Sequence, residues 1–180
     1  MNEVTNRIIA AVRTQSEMEA ALKSDVEVIF DLCANIVSVR ENTEQVHNAG
    51  KKLFIHIDLA EGIGKDKYGI LFLRDIGIDG IISTRANLIK LAKEEGLFAV
   101  QRFFAVDSHS IETTLEGLKS SKADMIEIMP GIMPKVINKF KRKTDKPVIA
   151  GGLIENNEEI SEILNSGAFA VSTGKKELWN

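Results

Sequence analysis

Ile149-Ala150-Gly151-Gly152 closes one apolar run, and Ala170-Val171-Ser172-Thr173-Gly174 closes the next, about twenty residues on. Between them, Asn156 to Ser166 reads as a helix. Glycine turns and the N-terminus of a short helix present backbone N–H groups to an anion. In a (β/α)8 barrel, such a site is built by the loops after strands seven and eight, at the C-terminal face. The two stretches together therefore predict a barrel and a small phosphorylated ligand. Paired glycines alone also serve tight turns; it is the matching Ser172-Thr173-Gly174 that argues for more.

Upstream of this pair, apolar runs alternate with amphipathic stretches. The predicted strands are Arg7–Val12, Val26–Leu32, Lys52–Asp58, Gly80–Thr84, Phe98–Phe103, Asp124–Met129, Pro147–Ala150 and Phe169–Ser172. Most are continuous apolar runs, as expected for parallel strands covered on both faces. The predicted helices are Gln15–Lys23, Asn35–Ala49, Lys65–Ile76, Asn87–Glu95, Ser108–Ser120, Pro134–Lys143 and Asn157–Ser166. Gly50, Gly77, Gly96 and Gly167 each fall just past a periodic segment, where a left-handed cap is wanted. Ser108 is read as an N-cap, and Asp107 as a loop or cap residue.

Eight strands alternating with helices leave a closed barrel or an open doubly wound sheet. The count of eight and the late phosphate signals favour an α/β fold of the (β/α)8, TIM-like kind. At 180 residues the chain is short for it, which requires short loops and a truncated last helix at Lys175–Trp179. No Gly-x-Gly-x-x-Gly follows the first strand, which weighs against a dinucleotide-binding sheet. The length suits one domain, 1–180.

The net charge of −3 gives no global bias toward nucleic acid or membrane. No apolar run reaches the roughly 18 residues that span a bilayer. The start of the chain, Met1 to Arg7, is polar and lacks an export signal's apolar centre. One cysteine, Cys33, excludes an internal disulfide framework and reads as a small buried hydrophobe. A cytoplasmic protein is expected.

Polar residues gather at the C-terminal ends of the predicted strands: Arg13, Asp31, His56, Asp58, Ser83, Arg85, Gln101, Arg102 and Glu127. A charge in an apolar strand is costly unless it is paired or has a task. Residues two apart share a face, so His56 and Asp58 are expected to point one way, as are Ser83 and Arg85. Each also has a plainer reading: His56 as a hydrogen-bonded core histidine, Asp58 as a cap of its turn, and Glu127 with Arg85 as an ion pair across the mouth. His56, Asp58 and Glu127 lack any familiar metal-ligand spacing, so no metal is expected.

The same segments carry a family resemblance. They are His56-Ile57-Asp58-Leu59 with Gly62-Ile63, Ile82-Ser83-Thr84-Arg85 with Asn87, and Gln101-Arg102-Phe103 leading to Asp107-Ser108. Ile126 to Ile132 with Pro134-Lys135, Ala150 to Ile154, and Val171-Ser172-Thr173 with Lys176, Leu178 and Trp179 complete them. In order and spacing the chain resembles the glycerol uptake operon antiterminator regulatory proteins, which respond to glycerol 3-phosphate. The resemblance implies a non-catalytic barrel that binds glycerol 3-phosphate, needs no cofactor, and acts on leader RNA of glycerol-utilisation transcripts so that transcription passes a terminator. It implies a phosphate site at Gly151, Gly152, Ser172, Thr173 and Gly174. His56, Asp58, Arg85, Gln101 and Glu127 would line the glycerol end, with Asp31 and Arg13 as weaker members. Gly174-Lys175 departs from the more polar pair expected of the family.

The residues themselves leave an enzyme open. His56, Asp58 and Glu127 are ordinary acid–base types, and a phosphate-binding barrel can be an isomerase or lyase on a small sugar or triose phosphate. No lysine stands in a Schiff-base position at the ends of strands two to six, which weighs against an aldolase. For RNA, the richest basic stretch is Lys135 to Lys143. Lys135, Lys139 and Lys143 fall four apart on a helix with Arg142 beside them, a stripe that can track phosphates or simply face solvent. Lys65, Lys67 and Tyr68, and Lys175, Lys176 and Trp179, offer a second basic region nearer the ligand face. A homo-oligomer is left open.

Overall fold

The computed structural model describes residues 7–180. The polar start of the chain lies outside them but for Arg7. Eight parallel strands close on themselves: β1 (Ile8–Val12), β2 (Val28–Asp31), β3 (Lys52–His56), β4 (Gly80–Ser83), β5 (Phe98–Phe104), β6 (Met125–Met129), β7 (Val148–Gly151) and β8 (Ala170–Thr173). Each neighbours the next, and β1 returns to β8 with Ile8 beside Val171 and Ala10 beside Thr173. Between them run α1 (Gln15–Lys23), α2 (Val39–Asn48), α3 (Lys67–Asp75), α4 (Ala86–Glu94), α5 (Ser108–Leu118), α6 (Pro134–Lys143) and α7 (Asn157–Asn165). This is the predicted TIM-like barrel.

Strand alternation divides the interior in two. Ile9, Phe30, Phe54, Ile82, Val100, Ile149 and Ala170 fill the lumen. The intervening positions, such as Ala10, Ile29, Ile55, Ile81, Ala99 and Val171, pack outward under the helices. Both strand faces are therefore apolar, which is why the sequence shows runs rather than alternation.

Local chemistry sets the element ends. The helix expected from Asn35 starts at Val39, because the Asn35 carboxamide accepts from the N–H groups of Val37 and Ser38 and holds a turn there. Asn35 also bridges to Glu61, joining the loops after β2 and β3. Asp66 caps α3 through the Tyr68 and Gly69 N–H groups, so that helix begins two residues later than expected. The cap of α5 is Asp107, not Ser108: its carboxylate accepts from the Ser110 N–H while the Ser110 hydroxyl accepts from the Asp107 N–H. Gly77, at φ +89°, ends α3's cap as the periodicity required.

The truncated last helix is a single 3-10 turn, Lys176–Leu178. It delivers Trp179, 1% exposed, into the core, where the indole N–H donates to the Thr173 carbonyl at 2.9 Å. The last turn thus fastens the end of β8 in place of a full helix.

Candidate functional site

Above the apolar plug of the lumen, the next inward positions turn polar. β5 supplies Arg102, β6 Glu127 and β8 Ser172, all buried. Arg102 Nε donates to Glu127 Oε2 at 2.6 Å, and Ser172 Oγ donates to Glu127 Oε1 at 2.6 Å. Both Glu127 oxygens are thereby engaged, and the ion pair is almost wholly out of water, with side-chain exposures of 7% and 1%. Gly151 on β7 lies against this group. A Cβ there would enter contact range of both Glu127 Oε1 and Ser172 Oγ, so only glycine fits.

Over this floor opens a cavity of ≈ 310 Å³, bounded by Ala11, Arg13, Leu32, Arg102, Glu127, Met129, Gly152 to Glu155, and Ser172 to Lys175. Such a volume suits a small polar molecule. Gly152 and Leu153 are both left-handed, at φ +81° and +62°. For leucine this conformation is costly, and such strain concentrates in ligand-binding loops. Thr173 ties the two phosphate-type loops together: its hydroxyl donates to the Ile154 carbonyl and accepts from the Lys175 N–H, each at 3.1 Å. A Cβ on Gly174 would stand 3.4 Å from Arg13 Nη1, which places the Arg13 guanidinium over that glycine. Arg13, Lys175 and Arg102 bring positive charge to the cavity, and Glu155 and Glu127 negative.

Of the residues predicted from sequence, Arg13, Glu127, Gly152, Ser172, Thr173 and Gly174 line this cavity, and Gly151 lies in its floor. The others do not. His56 is buried at 4% exposure, and its Nδ1 has no hydrogen-bond partner among the described residues. Burial and the nearby Arg102 charge, against the pull of Asp58, push its pKa down to about 4, so the ring is neutral near pH 7. Asp58 accepts from the Ser83 hydroxyl and from the N–H and hydroxyl of Thr84, at 2.7, 2.7 and 2.9 Å. Burial raises its pKa, but those hydrogen bonds and His56 outweigh it and hold it below the ordinary carboxylate value. Arg85, half exposed, approaches Asp58 at 3.8 Å. Asp58 thus staples the loop after β3 to the loop after β4. Arg85 pairs there, not with Glu127.

Two predicted residues face the helices. Gln101 shares the outward parity of Ala99, and its carbonyl oxygen accepts from Ser121 Oγ at 2.6 Å. Asp31 shares that of Ile29; Oδ1 accepts from the Cys33 N–H, Oδ2 has no partner among the described residues, and burial raises its pKa. Lining residues absent from the sequence-based ligand set are Ala11, Leu32, Arg102, Met129, Leu153, Ile154, Glu155 and Lys175. Arg102 was legible: it alternates with Val100 and Phe98, the inward side of β5. Among the described residues, no group of three His, Cys, Asp or Glu side chains is placed to hold a metal.

The four basic residues of the predicted RNA stripe, Lys135, Lys139, Arg142 and Lys143, are all exposed on α6, while Ile137 and Phe140 bury its other side. The loop leading into α6 is joined to the glycine loop. The Gly131 N–H donates to the Gly151 carbonyl at 2.6 Å and reaches that of Gly152 at 3.2 Å.

A closed (β/α)8 barrel with a small charged cavity at the C-terminal ends of β1, β5, β6, β7 and β8 defines the class. Within it, the chain belongs to the glycerol-3-phosphate responsive antiterminator family, whose model matches residues 8–179. It is similar to the glycerol uptake operon antiterminator regulatory protein of Listeria monocytogenes, with 37% identity and a TM-score of 0.90 over 99% of this chain and 97% of that one. The antiterminator-related protein of Thermotoga maritima shows 34% identity and a TM-score of 0.86 over 97% and 98%. The uncharacterized Escherichia coli protein YgcP is 39% identical over 97% of this chain and 92% of its own.

Proposed function

We infer that this chain is a non-catalytic sensor of glycerol 3-phosphate. Loaded with ligand, it acts on leader RNA of glycerol-utilisation transcripts and lets transcription pass a terminator. The observation that carries the ligand reading is the cavity itself: glycines on two adjoining loops, one of them left-handed at Gly152 and Leu153, with Arg13 and Lys175 beside them. The phosphate would sit against Gly152, Thr173 and Gly174, and the glycerol hydroxyls toward Arg102, Glu127 and Ser172. No cofactor is required by this reading, and a cytoplasmic site of action follows from the RNA target. Among the described residues, no helix is long and apolar enough to cross a membrane.

The carboxylates support sensing over turnover. Asp58 and Glu127, the pair best suited to acid–base work, each have both oxygens committed to protein donors. For RNA, the exposed stripe on α6 is the favoured surface. Its attachment through Gly131 to the glycine loop offers a path by which ligand can bias it, provided the ligand binds the two states unequally.

A thermal-shift titration tests the sensor directly. Glycerol 3-phosphate is expected to stabilise the protein by about 2.7 kcal/mol at one hundred times its dissociation constant. Glycerol and inorganic phosphate are the controls. Arg13→Ala is expected to weaken binding by about 10-fold or more, the worth of one charge-assisted hydrogen bond. Equal shifts with plain phosphate would reduce the site to a generic anion pocket. Retention of leader RNA with and without ligand then tests the second half of the reading.

A further inference from the structure

The exposed large hydrophobic side chains are not scattered. Among the described residues, apart from Phe169, they are Ile36, Val37, Leu59, Tyr68, Phe104, Val106, Ile132 and Leu153, and all eight lie at the ligand face: Phe104 at the C-terminal end of β5, Tyr68 in the first turn of α3, and the rest on loops. Several are almost fully in solvent: Val37 at 88%, Val106 at 81% and Tyr68 at 79%. Single exposed hydrophobes are ordinary, but a concentration on one face marks an interaction surface.

The eight form two groups. Ile36, Val37, Leu59 and Tyr68 follow β2 and β3, where the Ile36 N–H donates to the Glu61 carbonyl and the Glu61 N–H to the Ala34 carbonyl, both at 2.9 Å. Phe104 ends β5, and Val106, Ile132 and Leu153 follow β5, β6 and β7, where the Ala105 N–H donates to the Met129 carbonyl at 2.8 Å. In an eight-stranded ring, these groups stand on opposite sides of the mouth. Both are held by backbone bonds between loops, so little ordering entropy remains to be lost on docking.

We propose that the two apolar groups at the barrel mouth form the interface of a two-fold, mouth-to-mouth dimer of this chain. A two-fold interface must be self-complementary, because the same patch serves both copies. Opposed apolar groups satisfy this: each can receive the facing group of the other copy. The charges agree. Exposed Glu61, Asp66, Asp107 and Glu155 are interspersed on this face with exposed Arg13, Lys67, Arg85 and Lys175. Such a balanced surface complements its own copy and is a poor match to a polyanion, which needs one sign in excess. Lys65 is half-buried and its ammonium donates to the Ala60 and Ile63 carbonyls, so it keeps its charge but has fewer donors left for a phosphate. The ligand cavity opens between Leu153, Glu155 and Lys175, within the surface that the dimer covers. RNA would then be left to the outer helices, α6 among them. The inference stands apart from the ligand's identity.

Sedimentation velocity on the full chain, from nanomolar to high-micromolar concentration, decides it. The wild-type chain is expected to dimerise. Val37→Asp and Val106→Asp, one in each group, are each expected to weaken the dimer by about 100-fold or more. Phe169→Ser, at the other end of the barrel, is expected to leave it intact. Thermal melts and glycerol 3-phosphate binding show whether the variants are folded; both substituted side chains are in solvent, so they should be. A wild-type chain that stays monomeric, or a dimer that survives both substitutions, overturns the proposal. Loss of leader-RNA binding in Val37→Asp without any change of mass would assign this face to RNA and overturn it equally.

Discussion

Asp31 sits in the last position of β2 with one oxygen bound to the Cys33 N–H and the other without a partner among the described residues. Burial is the larger influence on it and raises its pKa, so the folded chain disfavours the carboxylate. The sign follows from linkage. A folded pKa above the unfolded one leaves stability whole at acid pH and subtracts from it as pH rises through the folded value. Asp31→Asn keeps an acceptor for Cys33 and removes the charge. It is expected to stabilise the protein near pH 7.5, with the gain shrinking as pH falls toward 4; denaturant melts across that range check it. At this scale the sequence identified which residues are polar in an apolar context but not which way they face. Gln101 and Arg102 are adjacent, so one of them must point outward. Strand parity with Val100 picks Arg102 for the lumen, while the resemblance pointed to Gln101. Asp58 lies past the end of β3, where strand alternation no longer applies, and its partners come from a loop that no local pattern connects to it.

Among the elements, α6 was the most legible. Pro134 at its first position, buried Ile137 and Phe140, and three cations in the last turn define Pro134–Lys143 from sequence alone. Replacing Lys135, Lys139, Arg142 and Lys143 by glutamine is expected to leave glycerol 3-phosphate binding unchanged and to weaken leader RNA. The slope of log affinity against log salt should flatten by up to about 3, the share of four phosphate contacts on a single strand. An unchanged slope would remove α6 from the RNA surface. The start of α2 was less legible, because an asparagine turn and a bridge to Glu61, distant in sequence, compete with the helical period there. The glycine loops were legible as a pair, since their spacing matches one helix and one strand. Their left-handed leucine was not, because nothing in the residue type announces it.

For the whole molecule, eight strand-like runs and two late glycine signals were enough to read a closed barrel. What brevity costs was not readable. After β8 the described chain makes one 3-10 turn, and Trp179, just past that turn, is buried at the end of the barrel. The carbonyl of Trp179 also accepts from the Asp25 N–H at 3.2 Å, so the end of the chain holds the segment entering β2. Trp179→Ala is expected to cost about 3–5 kcal/mol, read as a lowered melting midpoint in calorimetry. Glu177→Ala, an exposed change in the same turn, is expected to cost far less.

The pairing of β1 with β8 has one more consequence. Ile8 and Val171 meet only once β8 has been made, so until then the ring cannot close and any sheet formed by the first seven strands keeps two bare edges. Such a closure is entropically distant and therefore late. The first and last strands set the time at which this protein becomes safe from edge-to-edge aggregation, and chaperone demand should concentrate in that interval.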